Sequence, residues 1–208
     1  ADSGKKLVIP IWCEVIADLE TPVSAFHKVC KDNEYSFLLE SVEGGENFGR
    51  YSYIGIDPLY ILKSDRQGSV IFDKSNNNTV MRDDNPYNLL ERFLADYESA
   101  DFDIPLLSGA VGYFGYDSVV HIEPVLKNIF KNVEECASFP EAYFMLAGSG
   151  LVFDHVKHKI FIINNILVEN NKNIETIYKD SEVKIKEILS KLSSSHNLEQ
   201  LNLSSREI

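Results

Sequence analysis

Groups able to recognise a small charged ligand gather in one stretch, Tyr35 to Pro58. Glu40 and Ser41 close its first half and Arg50, Tyr51 and Ser52 open its second, with Leu39 and Ile54 as apolar neighbours. A carboxylate, hydroxyls, a phenol and a guanidinium could hold a zwitterion. Glu40 or backbone carbonyls would take an ammonium, while Arg50, Ser52 or free N–H groups would take a carboxylate. Polar residues flanking a glycine turn are also what a solvated loop end looks like, so spacing alone leaves both readings open.

Bond-making chemistry finds less support. His155 and His158 sit three apart on a predicted turn, a spacing that could grip a metal, but no thiolate or carboxylate motif accompanies them and a surface hairpin tip is the simpler reading. His27 falls within a predicted helix, His121 lies near Glu123, and His196 is in the tail. None forms an acid–base pair legible in sequence. Gly109, Gly112 and Gly115 lack the lysine and hydroxyl that follow a phosphate loop's last glycine, and read instead as close backbone approach or bulges in a strand. GxSxG, HExxH and dinucleotide-binding motifs are absent. The residues point to a binding or regulatory domain, with no catalytic residue, metal or cofactor assigned.

Composition narrows the partners. The 208 residues are 44% hydrophobic and 25% charged, in the range of a globular domain with a sizeable core. A formal charge of -12 disfavours nucleic acid and anionic membrane as partners and favours a basic protein surface. Cys13, Cys30 and Cys136 are odd in number and show no metal-ligand spacing, which fits a reducing compartment. Leu7–Val15 is interrupted by Pro10 and Glu14 and does not make a signal peptide, and no apolar run approaches membrane-spanning length. A soluble cytoplasmic protein is expected.

The elements that must position these groups follow from periodicity. Tyr35 to Glu40 and Arg50 to Ile56 alternate as strands around a turn at Glu43–Asn47, making a hairpin-like unit. Before it lies an extended run, LVIPIWCEVIAD, whose Pro10 suits an edge strand or a bulge. A helix follows, with Thr21 as N-cap and Pro22 at its first position. After Pro58 the runs LYILKS, SVIFD and TVMRDD form a meander, and Asn85–Pro86 open a second helix. AYFMLAGSGLVFDH and KIFIINNILV read as a long hairpin joined at His155–Lys159, with Gly148 and Gly150 as bends or bulges. Helical periodicity returns from Lys172 to Leu192, and residues 193–208 read as a linker. This ordering is α+β, not the regular alternation of a doubly wound sheet.

LLESVEGGENFGRYSYIGIDP, with IADLETPVSAF before it and GAVGYFGYD and FPEAYFMLAGSGLVFDH after it, resembles the N-terminal region of anthranilate synthase component I. The resemblance runs from about Leu7 to Lys191. It implies an α+β domain over residues 1–192 whose antiparallel sheets pack orthogonally, sandwich-like, with flanking helices. Residues 193–208 would lead toward a C-terminal chorismate-binding catalytic domain, outside this sequence, where Mg²⁺ acts. The parent would be a lyase making anthranilate from chorismate and ammonia or glutamine-derived ammonia, with a glutamine amidotransferase component II as partner. This portion would be its allosteric L-tryptophan feedback-binding half, non-catalytic by itself and binding tryptophan weakly without its own catalytic domain. The resemblance carries tryptophan contacts onto Leu39, Glu40 and Ser41, and a second wall onto Arg50, Tyr51, Ser52 and Ile54. The equivalent domain of aminodeoxychorismate synthase component I, or a free-standing amino-acid-binding module, are the alternatives. Sequence beyond Ile208 would separate them.

Overall fold

Of the 208 residues, the computed structural model describes 5–40, 49–65, 67–99, 105, 107–126, 139–168 and 173–194. The predicted turn at 43–47 and most of the predicted linker lie outside the described residues, as do Ser41 and Cys136.

The extended runs become strands β1 (Lys6–Ile16), β2 (Ser36–Leu39) and β3 (Tyr51–Ile56). The meander follows as β4 (Tyr60–Asp65), β5 (Gly68–Asp73) and β6 (Thr79–Asp83). Then come β7 (Tyr97–Ser99), β8 (Ala110–Phe114), β9 (Ala142–Leu146), β10 (Ser149–Asp154) and β11 (Lys159–Val168). Three α-helices are described: α1 (Pro22–Cys30), α2 (Pro86–Ala95) and α3 (Ile174–Leu192). The first two begin where Thr21 and Asn85 predict, and each of the three starts at a capping side chain. The Thr21 hydroxyl accepts from the Ser24 amide while the Ser24 hydroxyl accepts from the Thr21 amide, and Asn85 accepts from the Tyr87 amide at 2.9 Å. Asn173 does the same for Glu175 in α3.

Two sheets result, one of six strands in the order β2-β3-β10-β11-β1-β7 and one of five in the order β6-β5-β4-β9-β8. Every pairing is antiparallel except the short parallel contact of β1 with β7. The α+β expectation holds. Two details differ from the sequence reading. The proline-bearing β1 is not the edge of its sheet, because β7 lies outside it. Among the described residues that pairing covers Lys6–Val8, and Pro10 lies past it, opposite Asn165 of β11.

The second difference is larger. The run AYFMLAGSGLVFDH is not one strand of a long hairpin. It is split into β9 of the five-stranded sheet and β10 of the six-stranded sheet, and the chain crosses between sheets at Ala147–Gly148. Gly148 is the bend; a Cβ there would come within 2.3 Å of the Asp57 carbonyl oxygen. Gly150 is not a bulge but a close approach, since a Cβ would lie 1.9 Å from the Ile54 carbonyl oxygen. Only β10 and β11 make the predicted hairpin, with Asp154 opposite Lys159.

Packing follows strand alternation. On one face of the six-stranded sheet, Ile54, Leu151 and Ile162 are fully buried against Ala25 and Val29 of α1 and Ile185 and Ile188 of α3. Lys28 ties the two helices together by donating to the Leu192 carbonyl at 2.9 Å. Leu62, Ile71 and Phe144 of the five-stranded sheet pack against Leu89 and Phe93 of α2. The other face of the six-stranded sheet builds a smaller cluster from Leu107, Val152, Phe161 and Ile163. Each such side chain contributes on the order of 1.5–3 kcal/mol by leaving water.

Replacing Thr21 or Asn85 by alanine is expected to cost about 1 kcal/mol each in urea unfolding. Gly150→Ala is expected to destabilise more than either, because its clash is with backbone that cannot rotate away. A Gly150→Ala protein as stable as the parent would contradict the close approach.

Candidate functional site

The two arms of the predicted binding unit do pair. β2 and β3 are antiparallel neighbours at the edge of the six-stranded sheet, with Leu39 opposite Tyr53 and Leu38 opposite Ile54. Because successive side chains in a strand point to opposite faces, the predicted residues are divided between two environments. Tyr51 and Tyr53 lean on the Val152–Phe161–Ile163 cluster with Phe37, and Leu39, opposite Tyr53, remains 46% exposed. Ser52 and Ile54 face the helices, where they are 1% and 0% exposed. Glu40 follows β2 directly and is exposed. Ser41 lies outside the described residues.

Arg50 is committed to a partner that the sequence does not reveal. Its Nε and Nη2 donate to Asp154 Oδ1 and Oδ2 at 3.2 and 2.8 Å, a two-pronged match of guanidinium to carboxylate. Asp154 is 1% exposed, and its Oδ1 also accepts from the Val156 and Lys157 amides of the β10–β11 turn. Burial pushes the Asp154 carboxyl up, but the Arg50 hydrogen bonds and charge and the turn amides outweigh it and hold the group below its ordinary value. Arg50 also lies over the Tyr51 ring, 4.8 Å from its centroid. The guanidinium thus fixes the start of β3 to the β10–β11 turn and seats Tyr51.

Two histidines, His155 and His121, occupy hydrogen-bonded positions. His155 Nε2 is 2.8 Å from the Ser52 hydroxyl, and its amide donates to the Arg50 carbonyl at 2.9 Å. A hydroxyl beside an imidazole suggests a nucleophile, but Ser52 is sealed from solvent, so the pair is a link between β3 and the turn, buried at Ser52 and exposed at His155. His121 Nε2 meets Glu141 Oε2 at 3.2 Å, an acid–base pair that the sequence reading missed because its members stand 20 residues apart on separate elements. No group of three or more histidine, cysteine, aspartate or glutamate residues that could hold a metal occurs among the described residues. Cys13 and Cys30 are free thiols, and burial pushes Cys30 up to about 11. No described helix is long and apolar enough to cross a membrane.

A cleft of about 760 Å³ lies elsewhere. Asn33–Tyr35, Asp57–Tyr60, Asp73–Ser75 and Asp180, Ser181 and Lys184 of α3 line it, and none of the described residues of the predicted site does. Its rim is tied by ion pairs, Lys184 to Asp57 at 2.8 Å and Lys74 to Glu34 at 3.7 Å. Cavity size therefore does not pick out the hairpin. What distinguishes the hairpin is an exposed carboxylate beside half-buried apolar and aromatic side chains on a firmly held edge.

Comparison with known proteins gives consistent matches. The chain is 38% identical over 183 residues to anthranilate synthase component 1 of Acetivibrio thermocellus, covering 87% of this chain and 35% of that protein. It is 36% identical over 178 residues to the protein of the same name from Synechocystis, covering 83% and 34%. It is 33% identical over 196 residues to a probable anthranilate synthase component 1 of Schizosaccharomyces pombe, covering 93% and 36%. The chain thus spans about a third of the length of these curated relatives. Its fold resembles the crystal structure of anthranilate synthase component I from Streptococcus pneumoniae TIGR4, with a TM-score of 0.54 at 23% identity over 88% of this chain and 37% of that one. No family model matches.

The Arg50–Asp154 pair sets an acid limit. A carboxyl whose folded-state pKa is depressed contributes stability that is present above its unfolded pKa and is lost as pH falls through the folded value. Urea stability is expected to fall as pH drops below about 4, and Asp154→Asn is expected to flatten part of that slope. Asp154→Ala, which also strands the Val156 and Lys157 amides, should cost on the order of 2–4 kcal/mol at neutral pH. An unchanged acid slope in Asp154→Asn would remove this pair from the acid response.

Proposed function

From its homology to anthranilate synthase component 1 over about a third of that protein's length, we propose that this chain is the tryptophan-sensing portion of such an enzyme. The parent converts chorismate and ammonia, or ammonia released from glutamine, to anthranilate at the entry to tryptophan synthesis. Chorismate and Mg²⁺ are handled by a catalytic portion outside this sequence, and a glutamine amidotransferase component 2 supplies the ammonia. The observation that carries the reading is 38% identity across 87% of the chain to a protein of that name, matched by only 35% of that protein.

The chemistry of the β2–β3 unit supports the regulatory role. L-Tryptophan needs an apolar slot for its indole and a few convergent polar groups for its ammonium and carboxylate. Leu39 and Tyr51, with Tyr53 and Phe37 beside them, provide apolar and aromatic surface on one face. Glu40 offers a carboxylate for the ammonium, and Ser41, next in sequence, a hydroxyl. Ser52 and Ile54 shape the wall from behind, as buried members of the strand, and do not touch the ligand. Arg50, engaged by Asp154, orients the second arm. Inhibition is then a coupling free energy between this site and chorismate binding, carried by the arrangement of the two portions.

Part of the pocket wall belongs to the catalytic portion, so the isolated 208-residue chain is expected to bind L-tryptophan weakly or not at all in calorimetry. Tight stoichiometric binding would contradict that division. In the full-length enzyme, Ser41→Phe is expected to retain anthranilate formation and lose inhibition by tryptophan. Unchanged inhibition would remove the assignment of the site.

A further inference from the structure

Residues of both sheets and of α2 line a half-open cavity. It measures about 190 Å³ and lies on the seam, walled by Val8 and Leu167 of the six-stranded sheet, Tyr60 and Leu146 of the five-stranded sheet, and Leu94 of α2. Tyr97 of β7 completes the aromatic side, its ring 5.9 Å from that of Tyr60 and 4.8 Å from Phe93. Two phenols, those of Tyr60 and Tyr97, therefore belong to this wall. Ser108 and Gly109 lie at an exposed stretch of the lining, and a Cβ built on Gly109 meets nothing within 4 Å.

The walls are held apart by design of the backbone. Asn165 is 6% exposed, and its side-chain amide donates to the carbonyls of Leu107 and Ala147 at 2.6 and 3.1 Å. Its backbone N–H donates to Gly148 at 2.6 Å. One residue of β11 therefore fixes the segment before Ser108 and the crossover between the sheets, and the seam cannot close by sliding either past the other.

An apolar cavity of about 150 Å³ is enough to bind benzene. We propose that this seam cavity is a binding site for a small neutral aromatic molecule of one ring carrying a hydroxyl. The ring packs among Val8, Leu94, Leu146 and Leu167, and the hydroxyl joins the Tyr60–Tyr97 pair. Among the described residues no charged side chain lines the cavity, and Lys6 meets the Tyr97 hydroxyl at 3.5 Å from the exposed side. This site is separate from the β2–β3 unit, shares no residue with it, and does not depend on the tryptophan-sensing reading.

The test is ligand-observed NMR and calorimetry on the 208-residue chain with p-cresol, toluene and benzoate. Saturable one-to-one binding is expected for p-cresol, weaker binding for toluene, and none for benzoate. Leu94→Phe, which fills the cavity, should weaken p-cresol at least roughly tenfold, and Tyr97→Phe should abolish its advantage over toluene. Binding of benzoate equal to that of p-cresol would overturn the neutral-ligand assignment. Absence of saturable binding by both p-cresol and toluene, with a rise in melting temperature on Leu94→Phe, would identify a packing void and overturn the proposal.

Discussion

The chain leaves β9 in one sheet and enters β10 in the other within two residues, Ala147 and Gly148, and most of the molecule is arranged by that passage. Backbone passes so close to backbone here that a side chain has no room: the Asp57 carbonyl faces Gly148 and the Ile54 carbonyl faces Gly150. Asn165 closes the junction with three hydrogen bonds to Leu107, Ala147 and Gly148. An unpaired buried amide or carbonyl costs about 1–3 kcal/mol, so a junction with these groups satisfied can stay buried and fixed. It sets where β10 lies, and β10 in turn carries β3 on one side and β11 on the other.

The consequence for the proposed ligand site is a hairpin edge that is rigid from behind and open in front. Behind it, Ile54 is packed under α1 and α3, and Asp154 with His155 grips the strand through Arg50 and Ser52. In front, Leu39 and Glu40 remain accessible beside Tyr51 and Tyr53. Recognition by such an edge needs little rearrangement of its own, which lowers the entropic cost of binding. Signalling to another portion of an enzyme would then depend on how that portion meets the edge.

Local signals were legible in the sequence wherever a residue acts on its near neighbours. Thr21, Asn85 and their prolines located two helices, and the tight turns of the meander located β4 to β6. The pairing of β2 with β3 followed from alternation around a glycine turn. What the sequence hid depends on distant partners. Asp154 meets Arg50 from 104 residues away, and nothing in the alternation of either strand marks the pair. A run of hydrophobic residues reads the same whether it serves one sheet or two, so the division at Gly148 could not be told from a bend within a single strand. The division of Arg50, Tyr51, Ser52 and Ile54 between environments is implicit in strand periodicity, but which face is covered became clear only from α1 and α3 packing on Ile54.

The central claim is that the β2–β3 edge is where an amino acid is sensed on behalf of chemistry done elsewhere in the polypeptide. Amide hydrogen exchange of the full-length enzyme with and without saturating L-tryptophan tests it most directly. The account predicts slowed exchange at Leu39, Glu40 and the Tyr51–Ile54 strand, with the α2 and β4–β6 amides unchanged. Tryptophan-dependent protection confined to other parts of the chain, with that edge unaffected, would contradict it.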